Sequence, residues 1–81
     1  MRYFAYILRS ETFGTYYYGS TENIDLRIKR HNAGMVRSTK AKRPWKVHYT
    51  EPFTSRSEAY KRELFFKSVD GYIFLKREGI I

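Results

Sequence analysis

Two stretches rich in aromatic and branched residues, Tyr3 to Arg9 (YFAYILR) and Thr15 to Ser20 (TYYYGS), flank a short segment ending in Gly14. Such residues fill a pleated sheet well, and no helix cap precedes the first stretch. The pattern predicts two strands joined as a hairpin through the turn Ser10 to Gly14. A hairpin commits the chain to a sheet, and the later segments must cover it. Gly19, inside the second strand, predicts either a bulge or the close approach of another group.

The remaining segments supply that cover. Thr21 or Asn23 can cap a helix over Ile24 to Ala33, with Asp25 in its first turn and Gly34 just past its end. Met35 to Pro44 (MVRSTKAKRP) reads as a basic loop. From Trp45 to Glu51, Trp45, Val47 and Tyr49 alternate with Lys46, His48 and Thr50, the mark of a half-buried strand. Ser55 and Glu58 form a capping box for a helix running to about Ser68. Asp70 can cap a last short helix over Tyr72 to Arg77. The order β-β-α-β-α-α implies an α+β arrangement within the α/β class: a three-stranded, mainly antiparallel sheet flanked by about three helices. Residues 1–81 are expected to form one domain. A chain of this size buries roughly 60–65% of its unfolded surface, and an aromatic content of 19% helps to offset that.

Polar residues interrupt the apolar stripes of two of these helices. On a helical wheel Ala59, Glu63 and Phe66 share a face, with Tyr60 and Lys67 beside them. A carboxylate there must be desolvated, which is costly unless a cation or several donors compensate. Arg27 and His31, one turn apart, border the Ile24/Ile28 stripe in the same way.

Charge points to a polyanionic partner. Sixteen Lys and Arg face eight Asp and Glu, for a net charge of +8. Leu26 to Thr50 holds no acid, yet carries Arg27, Lys29, Arg30, Arg37, Lys40, Lys42, Arg43 and Lys46. A one-sided segment of this kind is the footprint of phosphate binding rather than of an evenly solvated surface. Arg37, Lys40, Lys42, Arg43 and Lys46 are expected to grip a nucleic-acid backbone. Trp45 is expected in the core, although stacking on an unpaired base is its alternative. The absence of cysteine excludes disulfides and thiolate metal sites and suits a reducing cytoplasm. No apolar run approaches the length of a membrane span, and no membrane partner is expected. Phosphate-binding glycine loops and His/Cys zinc spacings are also missing.

The strings AYILRS, YYYGST, NIDLRIKRHNAG, RPWKVHY and RSEAYKRELFFKS, in this order from about Phe4 to Ser68, closely resemble the GIY-YIG nuclease superfamily. The likeness is strongest to its small stand-alone members and to the module that makes one incision in bacterial excision repair. The resemblance puts the tyrosine of the first family tripeptide at Tyr6, and the tyrosine and glycine of the second at Tyr17 and Gly19. The helix arginine falls on Arg27, the residue one turn later on His31, and the metal-binding glutamate on Glu63. It implies a DNA endonuclease that uses one divalent cation, Mg²⁺ or Mn²⁺, in a repair, recombination or mobile-element setting. Its DNA could be structured or single-stranded, and a protein partner could direct it there.

Elementary chemistry is compatible with those roles. Phosphodiester hydrolysis gathers negative charge on phosphorus and needs cations and an activated water. Glu63 can hold a hard divalent ion, and Arg27 offers a planar fork that matches phosphate oxygens. A register pairing Tyr6 with Tyr17 would set two hydroxyls side by side to orient water. His31 is an alternative base. Each residue also has a plainer reading. The tyrosines suit a sheet, His31 suits a satisfied core position, and Glu63 can pair with Lys67 or Arg27. A nucleic-acid binding module that keeps this scaffold without turnover is the alternative function.

Overall fold

The computed structural model describes residues 2–81. Strand β1 (Tyr3–Ser10) turns into β2 (Tyr16–Thr21), followed by helix α1 (Ile24–Asn32), strand β3 (Trp45–Phe53), and helices α2 (Arg56–Phe66) and α3 (Val69–Arg77). The three strands form one antiparallel sheet in the order β2-β1-β3. The expected α+β arrangement is therefore present. Its boundaries differ in detail: a short 3₁₀ turn, Lys40–Lys42, interrupts the basic loop, and β3 continues to Phe53.

Caps explain where the helices begin. The Asn23 side chain accepts the Leu26 N–H, and Ser55 accepts that of Glu58. For α3 the cap is Ser68, which accepts the Gly71 N–H; Asp70 instead sits in the first turn, where its charge suits the helix dipole. Gly34, past the end of α1, takes φ +78, a value that favours glycine.

The central strand divides the interior. Ala5 and Ile7 face α2 and α3 and pack with Phe66 and Leu75. Tyr6 and Leu8 face α1 with Trp45, Ile24 and Ile28. Each sheet face thus has its own apolar cluster, which a three-stranded sheet needs in order to stand. Arg62 ties α2 to β3 through two hydrogen bonds to Glu51, 2.7 and 3.3 Å, while its guanidinium stacks on Phe65, Phe66 and Phe74. A partly buried fork of this kind is worth more than an exposed pair.

The hairpin register differs from the expected pairing of the two tyrosines. Tyr6 lies opposite Gly19, and Tyr17 lies opposite Leu8. The turn fixes this: Ser10 N–H donates to the Thr15 carbonyl, the Ser10 hydroxyl accepts the Phe13 N–H, and Gly14 adopts φ +70. A displacement by two residues keeps both tyrosines on one face, because the side-chain period of a strand is two. The bulge lies elsewhere, between Ile7 and Leu8 against β3. Gly19 serves the close approach: a Cβ there would overlap the Tyr6 ring carbons and hydroxyl. The Tyr6 ring can therefore lie across β2, toward the outer edge of the sheet. Gly19→Ala is expected to cost about 1–3 kcal/mol through overpacking, read as a lower urea midpoint. Unchanged stability would show that the ring has room to move.

Candidate active site at the edge of strand β2

Arg27 and His31 project from successive turns of α1 toward the Tyr6 hydroxyl. Arg27 Nε donates to the Tyr6 oxygen at 3.3 Å. The same hydroxyl lies 3.2 Å from His31 Nε2, and His31 Nδ1 lies 2.8 Å from the Thr39 hydroxyl. That hydroxyl is 3.2 Å from the Val36 carbonyl, which can only accept. One direction of donation satisfies every contact: Arg27 to Tyr6, Tyr6 to His31, His31 to Thr39, Thr39 to Val36. It requires a neutral imidazole carrying its proton on Nδ1. Burial, with the nearby Arg27 charge, lowers the His31 pKa to about 4 and so keeps the ring neutral. Desolvation raises the Tyr6 pKa, while the Arg27 hydrogen bond acts against that rise.

Tyr17 packs edge-on against His31, ring centroids 5.0 Å apart, and against Trp45 at 6.3 Å. It is only half-buried. Its charge would act on Tyr6, Arg27 and Lys67 alike. No hydrogen-bond partner engages the Tyr17 hydroxyl among the described residues.

Glu63 reaches this edge from the opposite face of the sheet. Helix α2 buries Ala59 and Phe66 and leaves the Glu63 side chain 14% exposed. Glu63 Oε1 accepts the Ser20 hydroxyl at 2.7 Å, and Oε2 accepts Lys67 Nζ at 2.7 Å. The Lys67 pKa rises chiefly through that bond. Lys67 is thus the compensating cation for the buried carboxylate. The Glu63 charge also raises the pKa of both Tyr6 and Arg27, so the carboxylate shares one electrostatic field with the α1 cluster. Among the described residues, no three His, Cys, Asp or Glu side chains form a metal-binding group.

The basic loop is exposed at Arg37, Lys40, Lys42, Arg43 and Lys46. It is anchored beneath by buried Thr39 and Trp45. Trp45 Nε1 donates to the Thr39 carbonyl at 2.8 Å, and Asn32 brackets the Trp45 backbone with bonds of 2.6 and 2.9 Å. Trp45 is therefore core. Arg43 differs from the other cations, because its Nε donates to the Lys40 carbonyl and its guanidinium lies against Gly34.

Two neighbours of the cluster escape a sequence reading. Thr39 lies in a loop without periodicity, and its partner is eight residues away. Ser20 carries a usable signal: it alternates with Gly19 along β2, so it must face α2.

A family model described as the GIY-YIG catalytic domain matches residues 2–72. The chain belongs to the GIY-YIG family. It is 40% identical over 74 residues to a UPF0213 protein of Bacillus licheniformis, covering 83% of this chain and 76% of that one. A Listeria monocytogenes UPF0213 protein is 38% identical over 83 residues, 95% of this chain and 92% of its own. The solution NMR structure of a UPF0213 protein from Bacillus halodurans superposes with a TM-score of 0.54 at 31% identity, covering 95% of this chain and 84% of that one. The GIY-YIG domain is a nuclease domain in general, with DNA as its substrate and divalent metals in common use. Within this domain Gly19 makes room for the Tyr6 ring.

The depressed His31 pKa has a consequence for stability. Between the ordinary value of about 6.5 and the folded value of about 4, the unfolded chain binds the proton that the folded chain refuses. Stability is then complete above about pH 6.5 and falls as the pH drops toward 4, by about 3 kcal/mol from this group. Urea unfolding of wild type and His31→Gln across that range should give a shallower slope for the variant. Parallel slopes would mean that His31 titrates normally.

Proposed function

We propose that this protein is a metal-dependent endonuclease that hydrolyses phosphodiester bonds in DNA, in a repair, recombination or mobile-element setting. The observation that carries the reading is that Tyr6, Arg27 and His31 form one hydrogen-bonded cluster with Tyr17 packed on it, while Glu63 is held at Ser20 of the same strand, β2. Polar groups of α1 and α2 thus both reach β2, which a purely structural use of each residue would not require.

The roles divide by exposure. Tyr6 is 1% exposed, and its hydroxyl is engaged by both Arg27 and His31. It positions the guanidinium from behind. Arg27 spends Nε on Tyr6 and keeps its two terminal amino groups for phosphate oxygens. Tyr17 has an uncommitted phenol between two cations, and that phenol orients the attacking water. The water oxygen bonds to phosphorus as the P–O bond to the leaving strand breaks; the water gives up a proton to solvent past the Tyr17 hydroxyl, and the departing oxygen takes one from solvent. Arg27 and Lys67 offset the negative charge that accumulates.

Glu63 would hold the divalent cation, Mg²⁺ or Mn²⁺. Each of its oxygens accepts one hydrogen bond and keeps a lone pair, and the carboxylate already attracts a cation in Lys67. When bound, the ion supplies positive charge to the phosphate and lowers the pKa of its water. With one carboxylate as protein ligand, the phosphate of the substrate must complete the site.

Incubation of supercoiled, branched and single-stranded DNA with Mg²⁺ or Mn²⁺ tests this directly. Nicking is expected from wild type, reduced by about 10³-fold in Glu63→Gln with binding retained. Tyr17→Phe should lower kcat by about 10²-fold or more, with stability unchanged. Binding without nicking of any substrate would leave a binding module instead. The ion pair on Glu63 is the one feature that favours that second reading, and it is separately testable. Lys67→Met should tighten Mn²⁺ binding by about five- to tenfold, because an exposed partner is worth about 1 kcal/mol. Titration followed by electron paramagnetic resonance reads that change without turnover. In the loop, Lys40→Ala should flatten the slope of log affinity against log salt by about one unit, whereas an unchanged slope removes Lys40 from the interface.

A further inference from the structure

We infer that the hollow lined by Ser20, Arg56, Ser57 and Tyr60 is a nucleotide subsite, which seats an unpaired base beside the bond to be cleaved. The inference rests on the nuclease reading above and specifies the class of DNA it acts on. The hollow encloses about 490 Å³, within the usual range for small organic ligands, about 300–1,000 Å³.

Its chemistry is that of a nucleotide. Tyr60 presents an aromatic ring that is 52% exposed, and an exposed ring is a platform for any base. Arg56 supplies a guanidinium to an adjoining phosphate. It is held only loosely, by a 3.4 Å pair with Glu22 whose side chains are 71% and 49% exposed, and by the face of Tyr3. Such a pair is worth little and can yield to a phosphate. The hollow also lies at the start of α2. Ser55 caps the Glu58 N–H, leaving the amides of Arg56 and Ser57 to an anion.

Its position links it to Glu63. The Ser20 hydroxyl that lines the hollow is the same one that donates to Glu63 Oε1 at 2.7 Å. The carboxylate and the hollow thus share a wall. Tyr60 also stands one helical turn before Glu63, and its charge acts on Lys67 together with those of Glu63 and Tyr17.

Two other concavities suit a nucleotide less well. One is rimmed by Glu22 and Asp25, which repel phosphate. Another is lined by Phe53, Phe65 and an Arg62 already bonded to Glu51.

A base lying flat on Tyr60 has left its duplex stack. The favoured substrate therefore has an unpaired or extruded nucleotide next to the cleaved bond, with no strong preference for which base it is.

Binding in EDTA tests the subsite without turnover. The probes are a short single-stranded oligodeoxynucleotide and the duplex of the same sequence, followed by fluorescence anisotropy. Tyr60→Ala should weaken the single strand about tenfold and leave the duplex within about twofold, while Tyr60→Phe binds like wild type. Arg56→Gln should reduce the single-strand salt slope by about one unit. A single abasic position scanned along the oligonucleotide should, at one place, weaken wild type and cost Tyr60→Ala nothing further. Equal losses on both probes, or none on either, overturn the subsite. If Tyr60 dependence holds but no metal supports nicking, the nuclease reading falls and the nucleotide site stands. If nicking is normal and Tyr60→Ala binds like wild type, the subsite falls alone.

Discussion

The buried hydroxyl of Tyr6 is the constraint from which most of this arrangement follows. A phenol with 1% exposure must find both a donor and an acceptor inside the protein. Arg27 is the donor and His31 the acceptor, so His31 must be neutral and must carry its proton on Nδ1. Thr39 takes that proton's hydrogen bond and thereby ties the basic loop to α1. The chain of dependence runs backward as well. The ring reaches these partners only because residue 19 has no side chain. A hairpin glycine, a strand tyrosine, a helix pair and a loop threonine thus form one unit, and replacing any one leaves a buried polar atom of the others without its partner.

The edge of a sheet is also where such a site has to lie. Residues on the two faces of a strand point apart, so groups from α1 and α2 cannot meet through the middle of the sheet. They can meet past its border. Strand β2 is such a border, short and packed on α2, with Tyr6 approaching Gly19 from one side and Ser20 meeting Glu63 on the other. Tyr17, half-buried, packs against His31 of α1. An edge strand is usually a hazard for pairing with another chain. Here the edge strand is only six residues long, which limits that hazard.

Local rules made much of this visible in advance. The aromatic hairpin, the alternation of β3, the caps at Asn23 and Ser55 and the Gly34 stop each depend on neighbours within a few residues, and each appears where the sequence places it. The polar interruptions at Arg27, His31 and Glu63 were visible too, because they break a periodic stripe. What was not visible depends on distant partners. The register of β1 against β2 follows the Ser10 turn and the Gly19 contact rather than any pairing of tyrosines. Ser68 and Asp70 are both good caps by type, and only the position of the α2–α3 corner selects Ser68. Gly71 explains that selection: a Cβ there would strike the Phe65 carbonyl, so α3 must start hard against the end of α2. Thr39 gains its meaning only from His31, across a loop without periodicity, and the facing of Ser20 is readable whereas its distant partner Glu63 is not.

The scarcity of acids carries the last step. Eight carboxylates serve sixteen cations, and the three ion pairs among the described residues engage Glu22, Glu51 and Glu63 with Arg56, Arg62 and Lys67. None of these pairs involves Arg37, Lys40, Lys42, Arg43 or Lys46, so the field of the loop is left to act outward. On the proposed reading, a second carboxylate beside Glu63 would bind a divalent ion more tightly, but it would also repel a phosphate arriving at the same edge. One carboxylate, kept company by a lysine that can move to a phosphate oxygen, avoids that conflict. On the proposed reading the free protein would be a poor ligand for the ion, and an arriving polyanion would draw Lys67 away and add the missing oxygens. By linkage, an ion and a nucleic acid bound there would each tighten the binding of the other. Weak metal binding by the free protein would then follow from the charge balance that lets the edge receive phosphate.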